Sequence, residues 1–250
     1  MSDTALHLEG LTKIYRRSHL GRVRLTIGVS GIALDVKSGE IFGLLGLNGS
    51  GKTTTIKLIL GLLRPTRGSV RVFGKSPGSP GMPDSVGYLP EFPYFYPYLS
   101  SPEILRFYGR LSGVSPESLE ERIAQTLRTV RLSSCRDRRI SEFSKGMLQR
   151  LGIAQAILHQ PSLIVLDEPV SGLDPLAVRE MRNLILDLNR GGSTLFFSSH
   201  SISEVERLCH RAAILVGGNL ARIVEQSEWK SEPGKLEGIF VETVQASSDV

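Results

Sequence analysis

Residues 46–53 read Gly46-Leu47-Asn48-Gly49-Ser50-Gly51-Lys52-Thr53, a Gly-x-x-x-x-Gly-Lys-Thr run that follows the apolar stretch Ile41 to Leu45 and precedes a stretch with helical spacing. This order restricts the fold more than any other feature, because a buried strand, a turn of small residues and a helix must follow one another without a spacer. It also implies a chemistry. The backbone N–H groups of Gly49 to Thr53 can turn inward on phosphate oxygens, and the helix start adds its positive dipole end to the same anion. Lys52 then reaches the β- and γ-phosphates and the Thr53 hydroxyl holds Mg²⁺, with Asn48, Gly49, Ser50, Gly51 and Thr54 completing the lining. The expected ligand is a nucleoside triphosphate.

A chain of 250 residues suits one large domain or a core with a subdomain. Its two cysteines, Cys135 and Cys209, lie far apart with no metal-ligand spacing, as expected of unpaired thiols in a reducing, cytosolic compartment. The start Met1-Ser2-Asp3-Thr4 has no basic segment followed by an apolar one, so no export signal is expected there. No stretch reaches the roughly 18 apolar residues of a spanning helix. The formal net charge of +5 suits nucleotides, nucleic acid or anionic head groups alike. Two arginine clusters, Arg16, Arg17, Arg22 and Arg24, then Arg136, Arg138 and Arg139, lack the interleaved aromatics of a base-stacking platform and read as solvated surface.

Alternation in Ile32, Leu34 and Val36 predicts a half-buried strand closed by Ser38-Gly39, and Ile41 to Leu45 predicts a buried one. The helix after the glycine loop extends to about Leu62 or Leu63, stopped by Pro65 and Gly68. Strands follow at Ser69 to Phe73 and Val86 to Leu89, separated by an exposed loop containing Gly74, Pro77, Gly78, Pro80, Gly81 and Pro83. Helices are predicted at Pro102 to Leu111, Pro116 to Val130 and Lys145 to His159, and strand–helix alternation resumes at Leu163. The fold class is α/β, with a largely parallel sheet and an inserted helical subdomain. Ala246 to Val250 read as a frayed tail.

Leu163-Ile164-Val165-Leu166 runs into Asp167-Glu168, two carboxylates where a parallel sheet presents its strand ends to ligand. Alone this is equally an exposed turn ending a core strand. With a phosphate loop upstream, Asp167 is expected to orient Mg²⁺ and Glu168 to act as general base toward the water that attacks the γ-phosphate.

From Tyr15 to about Val241 the order of motifs resembles the ATP-binding subunits of ABC transporters. The resemblance rests on the two motifs above, on Ser144-Lys145-Gly146-Met147-Leu148-Gln149-Arg150, on Ser171-Gly172-Leu173-Asp174-Pro175, and on His200 after the strand ending Phe196-Phe197. It implies that Tyr15 stacks on adenine, that Ser144 and Gly146 contact the γ-phosphate of ATP held by a partner subunit, that Asp174 helps join two subunits, and that His200 touches the γ-phosphate from the near side. Ser144 can at the same time be an ordinary helix N-cap. Where most members have Gln, this chain has Met147, which loses an amide donor, and Lys145 adds a charge to the same signature. Glu91 stands where the family usually has a Gln that meets the metal and senses the membrane partner. Both departures, and the ending Leu236-Glu237-Gly238-Ile239-Phe240, look like the ABC-2 type exporter branch.

The resemblance implies a P-loop ATPase (RecA-like) core, residues 1–241, with an N-terminal antiparallel β subdomain and a helical subdomain at about 92–160, followed by a tail, 242–250. ATP and Mg²⁺ are the implied cofactors, and the catalytic set is Glu168, His200 and Lys52, with Thr53, Glu91 and Asp167 on the metal. The implied partners are a separate membrane permease and a second ATP-binding subunit, at the cytoplasmic face of the membrane, with no nucleic acid. Phe92-Pro93-Tyr94-Phe95-Tyr96-Pro97-Tyr98, directly after Glu91, suits docking of a cytoplasmic helix of such a permease. The alternative is a soluble ABC-type ATPase acting on nucleic acid or ribosomes.

Overall fold

The computed structural model describes residues 4–19, 22–80, 82 and 85–248. Met1 to Asp3, Gly81 and Pro83 of the breaker-rich loop, and the final two residues of the expected tail lie outside them. The chain divides into two compact units, Met1–Met82 with Phe196–Val250, and Pro83–Leu195. The segment expected to form a helical insert, 92–160, falls within the second.

In the first unit, β1 (Thr4–His19) and β2 (Arg22–Lys37) form a long antiparallel hairpin. Sequence reading finds only the inner end of β2, because bulges break the period of two. Leu8 faces Leu34 but Leu11 faces Ile32, so β1 carries one extra residue there; Lys13 faces Val29 but Ile14 faces Ile27, so Gly28 is extra in β2. β3 (Ile41–Gly46) is buried throughout and leads through the glycine loop into α1 (Lys52–Ile59). This helix ends earlier than its apolar spacing predicts. Gly61 adopts φ 71°, and its N–H donates to the Leu58 carbonyl, a left-handed stop that only glycine takes without strain. β4 (Arg67–Val72) then pairs antiparallel with β1.

The second unit opens with β5 (Val86–Leu89), followed by α2 (Ser101–Leu111), α3 (Pro116–Thr129) and α4 (Lys145–Ile157). Ser100 and Glu103 form a reciprocal capping box at the start of α2, and Pro116 opens α3 where a missing N–H costs nothing. β6 (Leu163–Asp167) pairs parallel with β5, and α5 (Pro175–Arg190) returns the chain to β7 (Thr194–Ser199), where it passes to the first unit.

There α6 (Ile202–Leu208) precedes β8 (Arg211–Val216), parallel to β3, and β9 (Asn219–Glu225), antiparallel to β8. The strand order in this unit is β4-β1-β2-β9-β8-β3. Parallel pairing surrounds the glycine loop, and the antiparallel β1, β2 and β4 form the expected N-terminal β subdomain. Phe42 and Phe196 stack at 5.8 Å, and the Arg211 guanidinium lies 5.3 Å from the Phe42 centroid while binding both oxygens of buried Glu40 at 2.6 and 2.8 Å.

α7 (Gln226–Trp229) and α8 (Lys235–Ser248) correct the tail reading, since residues 242–248, Ala246 included, are helical. Leu236 and Phe240, one helical turn apart, are buried, and α8 lies on α6, α7, β8 and β9. A short polar C-terminal sequence gives no hint of this, because its stability comes from that tertiary contact. Cys135 and Cys209 are free thiols, and burial pushes the Cys209 thiol up.

Candidate functional site

β3 delivers the chain to a loop in which small residues are required by contact. A Cβ on Gly46 would fall 2.2 Å from Ser50 Oγ, and one on Gly51, which caps α1 at φ 107°, would fall 2.7 Å from the Gly28 carbonyl oxygen. Ser50 N–H donates to the Leu47 carbonyl (3.1 Å), and the first helical bond runs from Thr55 N–H to Gly51 (2.9 Å), so the N–H groups before it face out of the helix start. Lys52 is buried and curls across the loop, its Nζ donating to the carbonyls of Gly46 (2.8 Å) and Leu47 (3.4 Å). Ser50 Oγ is buried without a hydrogen-bond partner. N–H donors, an ammonium and an orphaned hydroxyl in one cradle are the chemistry of a phosphate site.

Tyr15 stands beside this cradle, half-buried, its hydroxyl 3.3 Å from that of Thr54. The space for its ring exists because residue 28 is glycine, where a Cβ would come within 2.6 Å of the ring. Asn48, Gly49 and Thr53 are exposed at the rim, and exposed His200 follows the end of β7 in the same unit.

The carboxylates belong to the second unit. Leu89 of β5 pairs with Leu166 of β6, so Glu91 and Asp167 leave the same ends of adjacent parallel strands. Asp167 and Glu168 are buried, and Glu168 has φ 49°, a left-handed conformation costly for a non-glycine residue and typical of functional sites. The Tyr88 phenol is pushed up to about 12, first by burial and then by the charges of Asp167 and Glu91. Gln149, almost fully buried, donates from Nε2 to the Glu91 carbonyl (3.0 Å) and so fixes its backbone.

Ser144 caps α4 by accepting from Met147 N–H (3.3 Å), and Asp174 caps α5 by accepting from Ala177 N–H (2.9 Å). The two helix starts are locked together: a Cβ on Gly146 would sit 3.2 Å from the Ala177 Cβ, and Arg150 pairs with Glu180 at 3.4 Å. The Lys145 ammonium rests against Gly172 in the turn before Asp174.

Among the described residues, no three or more His, Cys, Asp and Glu side chains gather as a metal cage. Magnesium needs none, since it takes one or two carboxylates together with substrate phosphates. A threonine hydroxyl at a phosphate loop and carboxylates at strand ends are donors of that kind.

The profile of one family, described as ABC transporter, matches residues 29–171. An uncharacterised ABC transporter ATP-binding protein of Nostoc sp. is 44% identical over 84% of the chain and 63% of its own length, and the bacitracin transport ATP-binding protein of Bacillus licheniformis is 38% identical over 87% and 69%. The chain belongs to the ABC transporter family. A solved ABC transporter ATP-binding subunit, 30% identical, superposes with a TM-score of 0.79 over 96% of this chain and 99% of its own. The mixed α/β P-loop fold is therefore that of ABC cassettes. The chain spans 63% of the Nostoc relative's length and 60% of a second relative from Synechocystis sp..

Within this ABC fold, sequence reasoning assigned no role to Gly28, Tyr88 or Gln149. Tyr88 sits one residue before a strand end, and Gln149 is a polar residue on the buried side of α4, a signal visible only once its helix is placed. Gly28 has meaning only through the bulge.

Proposed function

We propose that this chain is the nucleotide-binding subunit of a transporter, hydrolysing ATP to ADP and phosphate to drive a separate membrane permease, in the direction of export. The cradle of Gly46 to Thr54, with its curled Lys52 and orphaned Ser50 hydroxyl, is the observation that carries the reading.

Adenine stacks on Tyr15, while Asn48, Gly49, Ser50, Gly51, Lys52, Thr53 and Thr54 surround the phosphates. Lys52 gives up its two loop carbonyls for phosphate oxygens, exchanging neutral acceptors for charged ones. Glu168 polarises the attacking water as general base, and His200 donates to the γ-phosphate. Mg²⁺, when bound, neutralises charge on the β- and γ-phosphate oxygens, and Thr53, Asp167 and Glu91 are the residues that would hold it. A second subunit presents Ser144 and Gly146 to the same γ-phosphate, with Asp174 at the junction. The paired starts of α4 and α5 support this, since both direct positive dipole ends to one side. The dimer closed on ATP loses contacts when phosphate leaves, and that difference in affinity moves the permease.

The aromatic loop after Glu91 supports the membrane partner over nucleic acid. Phe92, Tyr94, Tyr96 and Tyr98 are 70, 81, 45 and 65% exposed, and only Phe95 enters the core, edge-on to Tyr108. Such an exposed patch fits the apolar face of a permease helix and supports a site of work at the cytoplasmic membrane face. The relative named for bacitracin transport supports the same role.

Equilibrium binding of Mg·ATP to Lys52→Ala tests the reading. Loss of measurable binding is expected; wild-type affinity overturns it. Purification from a detergent extract tests the partner: a polytopic membrane protein is expected, whereas RNA or DNA in its place supports the soluble alternative.

A further inference from the structure

Gln149 is a polar side chain among apolar ones. It shares the buried side of α4 with Leu151, Ile153, Ala154 and Ala156, and only 1% of it is exposed. Its amide makes one bond: Nε2 donates to the Glu91 carbonyl at 3.0 Å, while Oε1 is buried with no hydrogen-bond partner. Turning the amide over would not relieve the oxygen, because a carbonyl cannot donate and the nitrogen must face Glu91. An orphaned buried acceptor costs at least as much as one neutral hydrogen bond contributes, so this amide brings the fold no net stability. What it holds must account for it.

It holds the segment that carries Glu91. Leu89 and Pro93 lie two residues to either side of Glu91, and a Cβ on Gly152, one turn along α4 from Gln149, would run into Leu89 Cδ1 and stand 3.3 Å from Pro93 Cβ. Residues 89–93 therefore lie against α4 at both ends, and Gln149 ties down the middle. The Glu91 carboxylate itself has no hydrogen bond or ion pair among the described residues, so its placement depends on its backbone. Pairing of Leu89 with Leu166 brings that backbone to the strand ends that also carry Asp167, and the Tyr88 phenol feels the charges of both carboxylates.

We infer that Gln149 is a positioning residue for magnesium: by fixing the Glu91 carbonyl, it keeps the Glu91 carboxylate at the strand ends shared with Asp167, ready to ligate the metal of Mg·ATP. This deepens the ATPase reading and rests on its assignment of Glu91 and Asp167 to the metal. Carboxylates that hold a metal depend on the groups that fix them, and loss of such a group costs about 10–100-fold in metal affinity or activity.

Binding of a non-hydrolysable ATP analogue to the full chain, with magnesium and in EDTA, tests it, because the ratio of the two dissociation constants isolates what the metal contributes. The wild type should prefer the magnesium complex. Gln149→Met conserves shape and removes both the donor and the orphaned oxygen; it should lower that preference about tenfold, with the affinity in EDTA and the thermal unfolding midpoint unchanged. Gln149→Asn, whose amide stops one carbon short, should do the same and decides the matter where the methionine variant does not fold. Glu91→Ala keeps the carbonyl but has no carboxylate to place, so adding Gln149→Met to it should change the preference by less than about twofold.

Undiminished preference in the Gln149 variants overturns the inference, as does a further tenfold loss on the Glu91→Ala background. A fall in midpoint and EDTA affinity that accounts for the loss also overturns it, by assigning Gln149 to structure alone. A wild type that gains nothing from magnesium overturns it together with the metal assignment, and a wild type that does not bind the analogue overturns the ATPase reading as well.

Discussion

The Tyr15 and Thr54 hydroxyls stand 3.3 Å apart, joining the β1–β2 hairpin to the first turn of α1, the helix that follows the phosphate loop. Gly28 makes that approach possible. Stacking of a base on an aromatic ring is worth about 1–3 kcal/mol. Tyr15→Ala should therefore weaken ATP binding about tenfold and Tyr15→Phe by less than about twofold, read by fluorescence titration with a labelled nucleotide. Gly28→Ala should resemble Tyr15→Ala, because its Cβ takes the ring's place.

Tyr88 gives a pH dependence with a definite sign. Its phenol is pushed up to about 12, against about 10 in an unfolded chain. Between these values the unfolded chain loses a proton that the folded protein retains, so Tyr88's contribution to stability is complete below pH 10 and falls as pH rises to 12. Urea midpoints over that window should decline less steeply for Tyr88→Phe than for the wild type. Parallel curves would show that neither burial nor the nearby carboxylates raise this phenol.

Glu40 and Arg211 form a bidentate pair, with the Arg211 side chain 14% and that of Glu40 6% exposed. Removing one partner strands the other in a poorly solvated place. Glu40→Gln should destabilise the chain by about 3 kcal/mol in urea unfolding. Glu40→Gln combined with Arg211→Met should recover part of that loss, because no charge then remains buried.

What the sequence reveals here follows from the range of each signal. The glycine loop, the Asp167-Glu168 strand end and the Ser144 cap are local, each a short run whose backbone role follows from its own residue types. β5 was legible to the residue, since Val86 to Leu89 is an apolar run bounded by breakers. β1 and the outer half of β2 were not. The register shifts four times, three of them near Gly10, Gly28 and Gly31, which erases the alternation that reveals a strand. α8 was hidden for a different reason, as its helix is held by packing of Leu236 and Phe240 on elements distant in sequence. The same limit hid Gln149 beside Glu91 and Tyr88 beside Asp167, pairs that are neighbours only in three dimensions.

Phosphate release by Glu168→Gln bears most directly on the proposal that the glycine cradle and the buried carboxylates serve one Mg·ATP. Exchanging a carboxylate for an amide removes the base while conserving shape, and general-base catalysis contributes about 10²–10⁴-fold. The variant should bind ATP as tightly as the wild type, accumulate as an ATP-bound dimer and release phosphate at least about a hundredfold more slowly. Phosphate release at the wild-type rate would contradict the assignment.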